Sequence, residues 1–158
     1  MVILKRPEEI EKIRTSNLIV AEILEELKKT VKPGITTRDL DELAEDFARR
    51  KSAKPAFKGY MGYPFSLCTS INEEVVHGLP SKRALVEGDI ISLDFGVYYQ
   101  GYYGDAAITV PVGRVSERAG RLLQVTEQGL YEGIREAKAG NRLGDISHAV
   151  QSVVESAG

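Results

Sequence analysis

The sequence has no tryptophan, a single cysteine, two histidines and no apolar run near the roughly 18 residues that a membrane-spanning helix needs. Cys68 therefore has no partner for an internal disulfide, which suits a reducing compartment, and we expect a cytoplasmic protein. The sequence also lacks a large excess of charge of one sign, because it has 21 basic and 23 acidic residues. This balance argues against a nucleic-acid partner, and the lack of an apolar run argues against a membrane partner.

What the sequence does contain predicts an α+β fold. The 158 residues, 42% hydrophobic and 28% charged, are enough for one domain with its own core, so we expect 1–158 to be a single domain. Apolar periodicity predicts helices at both ends of the chain and strands in the Gly-, Tyr- and β-branched-rich middle. The predicted order is a helix over 7–31, a helix from Thr36 or Thr37, strands within 55–113, a helix capped by Ser116 and a helix capped by Asp145. This order favours an antiparallel sheet with helices packed on one face.

Two aspartates in a predicted hairpin give the sharpest chemical signal. Asp is depleted in strands, yet Asp94 lies in a predicted strand over 89–97 and Asp105 in one over 102–112. A two-residue loop at 99–100 would place the two aspartates directly opposite each other, whereas a three-residue loop would send them to opposite faces. Paired like charges need a cation or a shared proton, and carboxylates that bridge two divalent ions are one solution. In the simpler interpretation one aspartate caps a turn and the other faces solvent.

A histidine beside Gly and Pro is the second signal. His77 lies in the segment Val-Val-His-Gly-Leu-Pro. The sequence predicts a strand over 65–71 and a short returning strand over 75–77. The ordinary pKa of a histidine, near 6.5, suits proton exchange or hydrogen bonding to a substrate, although a surface turn histidine is the commoner case. His148 lies off the apolar face of its helix, and we expect it to be exposed and inert.

Three aromatic residues lie among glycines in the segment 56–64. Phe57, Tyr60 and Tyr63 could line a small apolar pocket, or they could simply pack over the sheet. Cys68 is a conceivable nucleophile, but no histidine is visibly placed to activate it.

Taken together, four segments resemble successive motifs of type I methionine aminopeptidases, the pita-bread metalloenzymes that remove the initiator methionine. They are PAFKGYMGY at 55–63, SINEEVVHGLP at 70–80, GDIISLD at 88–94 and YYGD at 102–105. The similarity covers the whole chain. Prolidases and aminopeptidase P share an aspartate pair, but the His-Gly-Leu-Pro motif and the preceding Asn-Glu-Glu favour the methionine-specific branch.

The resemblance implies a role for each matching residue. It implies that Asp94 chelates one metal ion, that Asp105 bridges two, and that His77 hydrogen-bonds the substrate near the scissile peptide. The implied pocket for the methionine side chain is formed by Phe57, Tyr60, Tyr63 and Cys68. The implied cofactors are two divalent ions (Co, Mn, Fe, Zn or Ni), and the implied substrates are nascent protein N-termini and Met-peptides.

The sequence also departs from the family pattern. The family's other ligands, one histidine and two glutamates, lie in a second half of the fold together with a second active-site histidine, and His148 matches none of these. We therefore expect the chain to be an N-terminal half that is inactive or weak alone. One alternative is a self-assembling half that forms a homodimer with a composite metal site through the surface left by the missing half. Another is a non-catalytic peptide-binding module.

Overall fold

The computed structural model describes residues 3–158, which form four helices and a four-stranded antiparallel sheet. The helices are α1 (Pro7–Thr30), α2 (Thr37–Arg50), α3 (Glu117–Glu136) and α4 (Leu143–Ser156), and the strands are β1 (Lys54–Pro55), β2 (Leu67–Ile71), β3 (Ile90–Tyr99) and β4 (Tyr102–Pro111). The α+β prediction is confirmed. The chain divides into two compact units, one up to Arg114 and one from Val115 to Gly158. The assignment of 1–158 to a single domain stays a prediction.

The first two helices begin as their sequences predict. Pro7 occupies the first turn of α1, followed by two glutamates that suit the positive end of the helix dipole. At α2 the Thr36 hydroxyl accepts a hydrogen bond from the Asp39 amide at 3.1 Å, and the Asp39 carboxylate accepts one from the Thr36 amide at 2.9 Å. This reciprocal pair is the predicted capping box, with Asp in place of Glu.

Strand β3 is the centre of the sheet and organises the core of the first unit. It pairs with β4 along one edge and with β1 and β2 along the other, always antiparallel. Alternate β3 side chains are fully buried and form one cluster with α1 and α2, namely Ile91, Leu93, Phe95 and Val97. Since side chains alternate across a strand, the neighbouring β3 residues lie on the opposite face. That opposite face carries Asp94.

Three local predictions are wrong. Residues 75–77 form a loop rather than a strand, because the backbone turns through positive φ at Asn72 and again at His77. Asp145 is not the N-cap of α4; Arg142 is, and the Asp145 carboxylate reaches back to accept a hydrogen bond from the Arg142 amide at 2.7 Å. The sequence predicts that the helix beginning at Ser116 stops at Gly140, whereas α3 ends four residues earlier, at Glu136. His148 is exposed, as expected.

The second unit is a pair of closely packed helices. Gly133 of α3 lies so near α4 that an added Cβ atom would stand 2.8 Å from a methyl group of Val150. Gly133 therefore permits close packing of the two helices. Across residues 3–158, no helix combines the length and the apolar character that crossing a membrane requires.

Candidate active site

The hairpin turn places the two aspartates on one face of the sheet, but not opposite each other. Gln100 and Gly101 both have positive φ, at 48° and 90°, which is the requirement of a type I′ turn. The loop is therefore 100–101, and Asp94 faces Ala107 while Asp105 faces Gly96. The prediction that the two aspartates are directly opposite is wrong, because the two-residue loop lies at 100–101 and not at 99–100. Because this shift moves the register by two residues, both side chains keep the same face.

The two carboxyl groups of this face interact. Burial raises the pKa of Asp94, and the charge of Asp105 and a hydrogen bond with it raise that pKa further, while the charge of His77 opposes the increase. Asp105 is exposed, and its backbone amide donates to Asn17 Oδ1 at 3.2 Å. Within residues 3–158 neither carboxylate has a Lys, Arg or His nitrogen at ion-pair distance. Two adjacent carboxyl groups without a basic partner fit a bound cation.

The loop that carries His77 is attached closely to β2. The Gly78 amide donates to Ser70 Oγ at 3.1 Å, and the Gly78 carbonyl accepts from the Thr69 amide at 2.8 Å. An added Cβ atom on Gly78 would lie 2.7 Å from the Thr69 carbonyl carbon, so only glycine allows this approach. His77 itself has φ of 59°, a conformation that is uncommon for a non-glycine residue and is found at functional sites. The effect of the His77 charge on the pKa of Asp94 indicates that this loop lies near the aspartate face.

Cys68 and Tyr63 form a wall beside the aspartates. Cys68 is directly opposite Asp94 on the neighbouring strand and is 5% exposed. The Tyr63 hydroxyl donates to the Leu67 carbonyl at 3.0 Å and lies 3.4 Å from the Gly78 carbonyl as a second acceptor. Burial raises the pKa of Cys68 and outweighs the opposite effect of Tyr63; Asp94 and Asp105 raise it further. A buried thiol with a raised pKa is a poor nucleophile.

The other two predicted pocket residues are placed differently. Phe57 is half-buried against β3, where an added Cβ atom on Gly96 would meet its ring at 2.8 Å. Tyr60 lies in a single 3₁₀ turn and is 69% exposed. Sequence reasoning missed Asp41, a buried carboxylate on α2 that binds the chain just before Cys68. In the sequence, the signal that could have indicated a buried Asp41 was its position next to the apolar residue Leu40.

The donor set is compatible with a metal centre that draws on further ligands. Asp94 and Asp105 supply carboxylate oxygens, which divalent ions bind well. In the described part of the chain, no cluster of three or more His, Cys, Asp or Glu residues is arranged to hold a metal ion. The two aspartates by themselves therefore fall short of a complete coordination shell.

The comparisons with known proteins define the class to which this α+β fold and its paired carboxylates belong. The model of metallopeptidase family M24 matches residues 11–158. The chain belongs to this family.

Individual relatives are named methionine aminopeptidase. The chain is 55% identical to one from Clostridium acetobutylicum over 159 aligned positions, which cover 100% of the chain and 64% of that protein. It is 52% identical to methionine aminopeptidase 1 of Bacillus subtilis, with coverage of 99% and 63%. The chain thus spans slightly less than two thirds of the length of these curated relatives.

Solved structures agree with this comparison. The crystal structure of a methionine aminopeptidase from Thermotoga maritima superimposes with a TM-score of 0.97 and 48% identity, covering 100% of the chain and 64% of that structure. The prolidase from Pyrococcus furiosus, 21% identical, matches 99% of the chain and 45% of its own length with a TM-score of 0.87, which shows a shared fold alone.

The raised pKa of Asp94 predicts a pH-dependent stability. Its carboxylate is less favourable in the folded chain than in the unfolded chain, where the pKa is about 3.9. The contribution of Asp94 to stability is therefore fully present below pH ~4 and is lost as pH rises through the raised pKa. We expect Asp94→Asn to reduce this fall in the free energy of unfolding, measured by urea titration in EDTA at several pH values. Glu73→Gln, which changes an exposed acid, should leave the pH profile as in the wild type; a wild-type slope in Asp94→Asn would contradict the prediction.

Proposed function

We propose that this chain carries part of the active site of a metal-dependent methionyl aminopeptidase, which hydrolyses the bond after an N-terminal methionine. The observation that supports this most directly is the shared location of Asp94, Asp105 and His77 beside the wall formed by Tyr63 and Cys68. Family membership and the names of the relatives support it independently.

The aspartates are the proposed metal ligands. Asp94 would hold one divalent ion, and Asp105, which is more exposed, would be shared between two. Divalent ions bound there supply Lewis acidity toward the peptide carbonyl. His77 has the position and chemistry to hydrogen-bond the substrate peptide and hold its first carbonyl near the aspartates.

The side-chain pocket is the proposed source of specificity. A neutral Cys68 thiol and the Tyr63 ring present a soft, weakly polar surface, and sulfur–aromatic contacts favour a thioether by ~0.3–1.5 kcal/mol. Phe57 would extend this surface along β3, and Tyr60 would cover the ligand from its exposed turn. The substrates would be Met-peptides and protein N-termini.

The activity of the 158-residue chain alone is a separate proposal. Residues 3–158 supply two carboxylate ligands at the aspartate face and no third ligand. We therefore expect weak or no turnover without further ligands. Homodimerisation and a purely peptide-binding role remain the alternatives, and a sizing column distinguishes a dimer from a monomer.

The test is release of methionine from Met-Ala-Ser by the purified chain with added Co²⁺, Mn²⁺ or Fe²⁺. We expect any metal-stimulated release to survive in His148→Ala and to fall to background in Asp105→Asn, because only the second variant removes a proposed ligand. Equal release by Asp105→Asn would contradict the site assignment. No release by any variant would show that these 158 residues do not form a working site by themselves.

A further inference from the structure

Helix α2 binds the segment that precedes the pocket wall through a buried carboxylate. Asp41 is 5% exposed, and its Oδ1 atom accepts hydrogen bonds from the amides of Ser66 at 2.8 Å and Leu67 at 2.9 Å. Within residues 3–158 no basic side chain forms an ion pair with it. The two backbone amides are therefore the hydrogen-bond donors to this buried oxygen.

The Leu67 peptide connects Asp41 with the pocket. Its amide donates to Asp41, and its carbonyl accepts from the Tyr63 hydroxyl at 3.0 Å. Cys68 directly follows Leu67 in the same strand. A displacement of the Leu67 peptide would consequently move both proposed pocket residues together.

A second carboxylate on the same side of α2 strengthens this attachment. Glu45, one helical turn after Asp41, accepts from Ser66 Oγ at 3.0 Å and from Lys58 Nζ at 2.7 Å. Lys58 directly follows Phe57 in the chain, so both segments of the predicted pocket are tied to one helix. The hydrogen bond from Lys58, followed by that from Ser66, lowers the pKa of Glu45 against the opposing effect of its partial burial.

An aromatic contact completes the attachment of Tyr63. The Arg38 guanidinium of α2 lies 4.5 Å from the centre of the Phe65 ring, and the Phe65 and Tyr63 rings meet edge to face at 6.1 Å. Arg38 and Asp41 are three residues apart and so lie on one side of the helix. Of these contacts, only those of Asp41 are made by a buried charged group.

We propose that Asp41 is a positioning residue that fixes the spacing of Tyr63 and Cys68, and thereby restricts the pocket to an unbranched side chain of the width of methionine. The proposal rests on the proposed function for its substrate and on the hydrogen bonds of Asp41 for its geometry. It assigns Asp41 no contact with the substrate.

Three variants test the proposal. Asp41→Ala removes both acceptor bonds, Asp41→Asn retains an oxygen of similar shape without the charge, and Glu42→Ala changes the adjacent exposed acid as a matched control. The first measurement follows amide hydrogen exchange at Ser66 and Leu67, with Leu93 in the core as reference. We expect protection of the first two amides to fall about tenfold or more in Asp41→Ala, as loss of a hydrogen bond predicts. Asp41→Asn should show a smaller loss, and Glu42→Ala none.

The second measurement reports on the pocket without requiring activity. Cys68 is the only thiol, and its alkylation by iodoacetamide at one fixed pH can be compared with that of the same chain unfolded in urea. Burial protects it in the wild type, so we expect at least about tenfold faster alkylation in folded Asp41→Ala. Asp41→Asn should stay near the wild-type rate, because it restores an acceptor.

Peptide kinetics then test the effect on selectivity, wherever the wild type releases methionine. Asp41→Ala should raise KM for Met-Ala-Ser with little change in kcat, and should reduce the preference for Met-Ala-Ser over Leu-Ala-Ser, because it alters binding and not the reacting groups. Asp41→Asn should show a smaller effect.

Each outcome decides the proposal. Wild-type alkylation and exchange rates in a folded Asp41→Ala variant would overturn it, as would equal changes in Glu42→Ala. If Asp41→Ala does not fold, unchanged Ser66 and Leu67 protection in Asp41→Asn would overturn it. If the wild type releases no methionine, these 158 residues do not form a working site by themselves, and the exchange and alkylation results still decide whether Asp41 positions the pocket.

Discussion

Replacement of Asp105 by asparagine is expected to weaken Mn²⁺ binding by at least about a hundredfold, a loss of about 2.7 kcal/mol. The amide keeps the shape of the side chain but removes the negative charge and one of the two oxygens that could bridge ions. Asp94→Asn should have a similar effect, because it removes the other carboxylate of the same face. Isothermal titration of Mn²⁺ into the metal-free chain measures this affinity directly.

The same substitution should act in the opposite direction on the stability of the metal-free chain. Asp105 helps to raise the pKa of Asp94, so removing its charge relieves a repulsion, which we expect to be worth at most about 1 kcal/mol. A variant that binds less metal yet is slightly more stable in EDTA cannot have lost metal through misfolding. His148→Ala, remote from the aspartates in sequence and exposed, should match the wild type in both assays. Equal Mn²⁺ titrations in the wild type and both aspartate variants would refute the assignment.

Gly104→Ala is expected to cause a large loss of stability, about 1–3 kcal/mol or more. An added Cβ atom would overlap the carbonyl group of Ser16 and lie 2.6 Å from the amide nitrogen of Asn17. These are backbone atoms of a helix, so they cannot move aside as a flexible side chain would. Helix α1 would be forced away from β4, and with it the Asn17 side chain that accepts from the Asp105 amide.

Gly120→Ala is the matched control for this effect. Gly120 lies in α3 with no heavy atom within 4 Å of an added Cβ atom, and alanine is the better helix former by roughly 0.5–1 kcal/mol. We therefore expect the same chemical change to stabilise the chain at position 120 and destabilise it at position 104. Urea unfolding monitored by circular dichroism measures both. Equal midpoints for the two variants would show that α1 does not approach β4 as described.

Most of the regular elements follow from local sequence alone. Pro7 and the Thr36–Asp39 capping box mark helix starts because their effects act within one helical turn. The alternation of apolar residues along β3 predicts which face enters the core, since the side-chain period of a strand is two. The error at 75–77 arose because β-branched residues favour strands, whereas hydrogen bonds from Gly78 to β2 hold this segment as a loop.

The hairpin shows the boundary between local and tertiary information. From the sequence, a shared face for Asp94 and Asp105 depended on a two-residue loop; the structure has such a loop one position later, and an even shift of register preserves the face. The sequence did not determine their partners, since those depend on which two residues adopt positive φ, and Gly101 is suited to do so. Because the turn lies one position later than predicted, Asp94 and Asp105 are diagonal neighbours across the two strands and not direct partners.

By itself, the sequence determined the α+β class, the strand and helix patterns and the motifs that the chain shares with methionine aminopeptidases. Only the tertiary structure decided that the charge of His77 acts on Asp94, that Cys68 lies opposite Asp94, and that Asp41 binds the amides of Ser66 and Leu67. The physical reason is the distance along the chain over which each effect acts, since helix capping and side-chain periodicity involve only a few neighbouring residues. The site instead depends on contacts between strands and helices that are distant in the chain, and these form only when β2, β3 and α2 pack together.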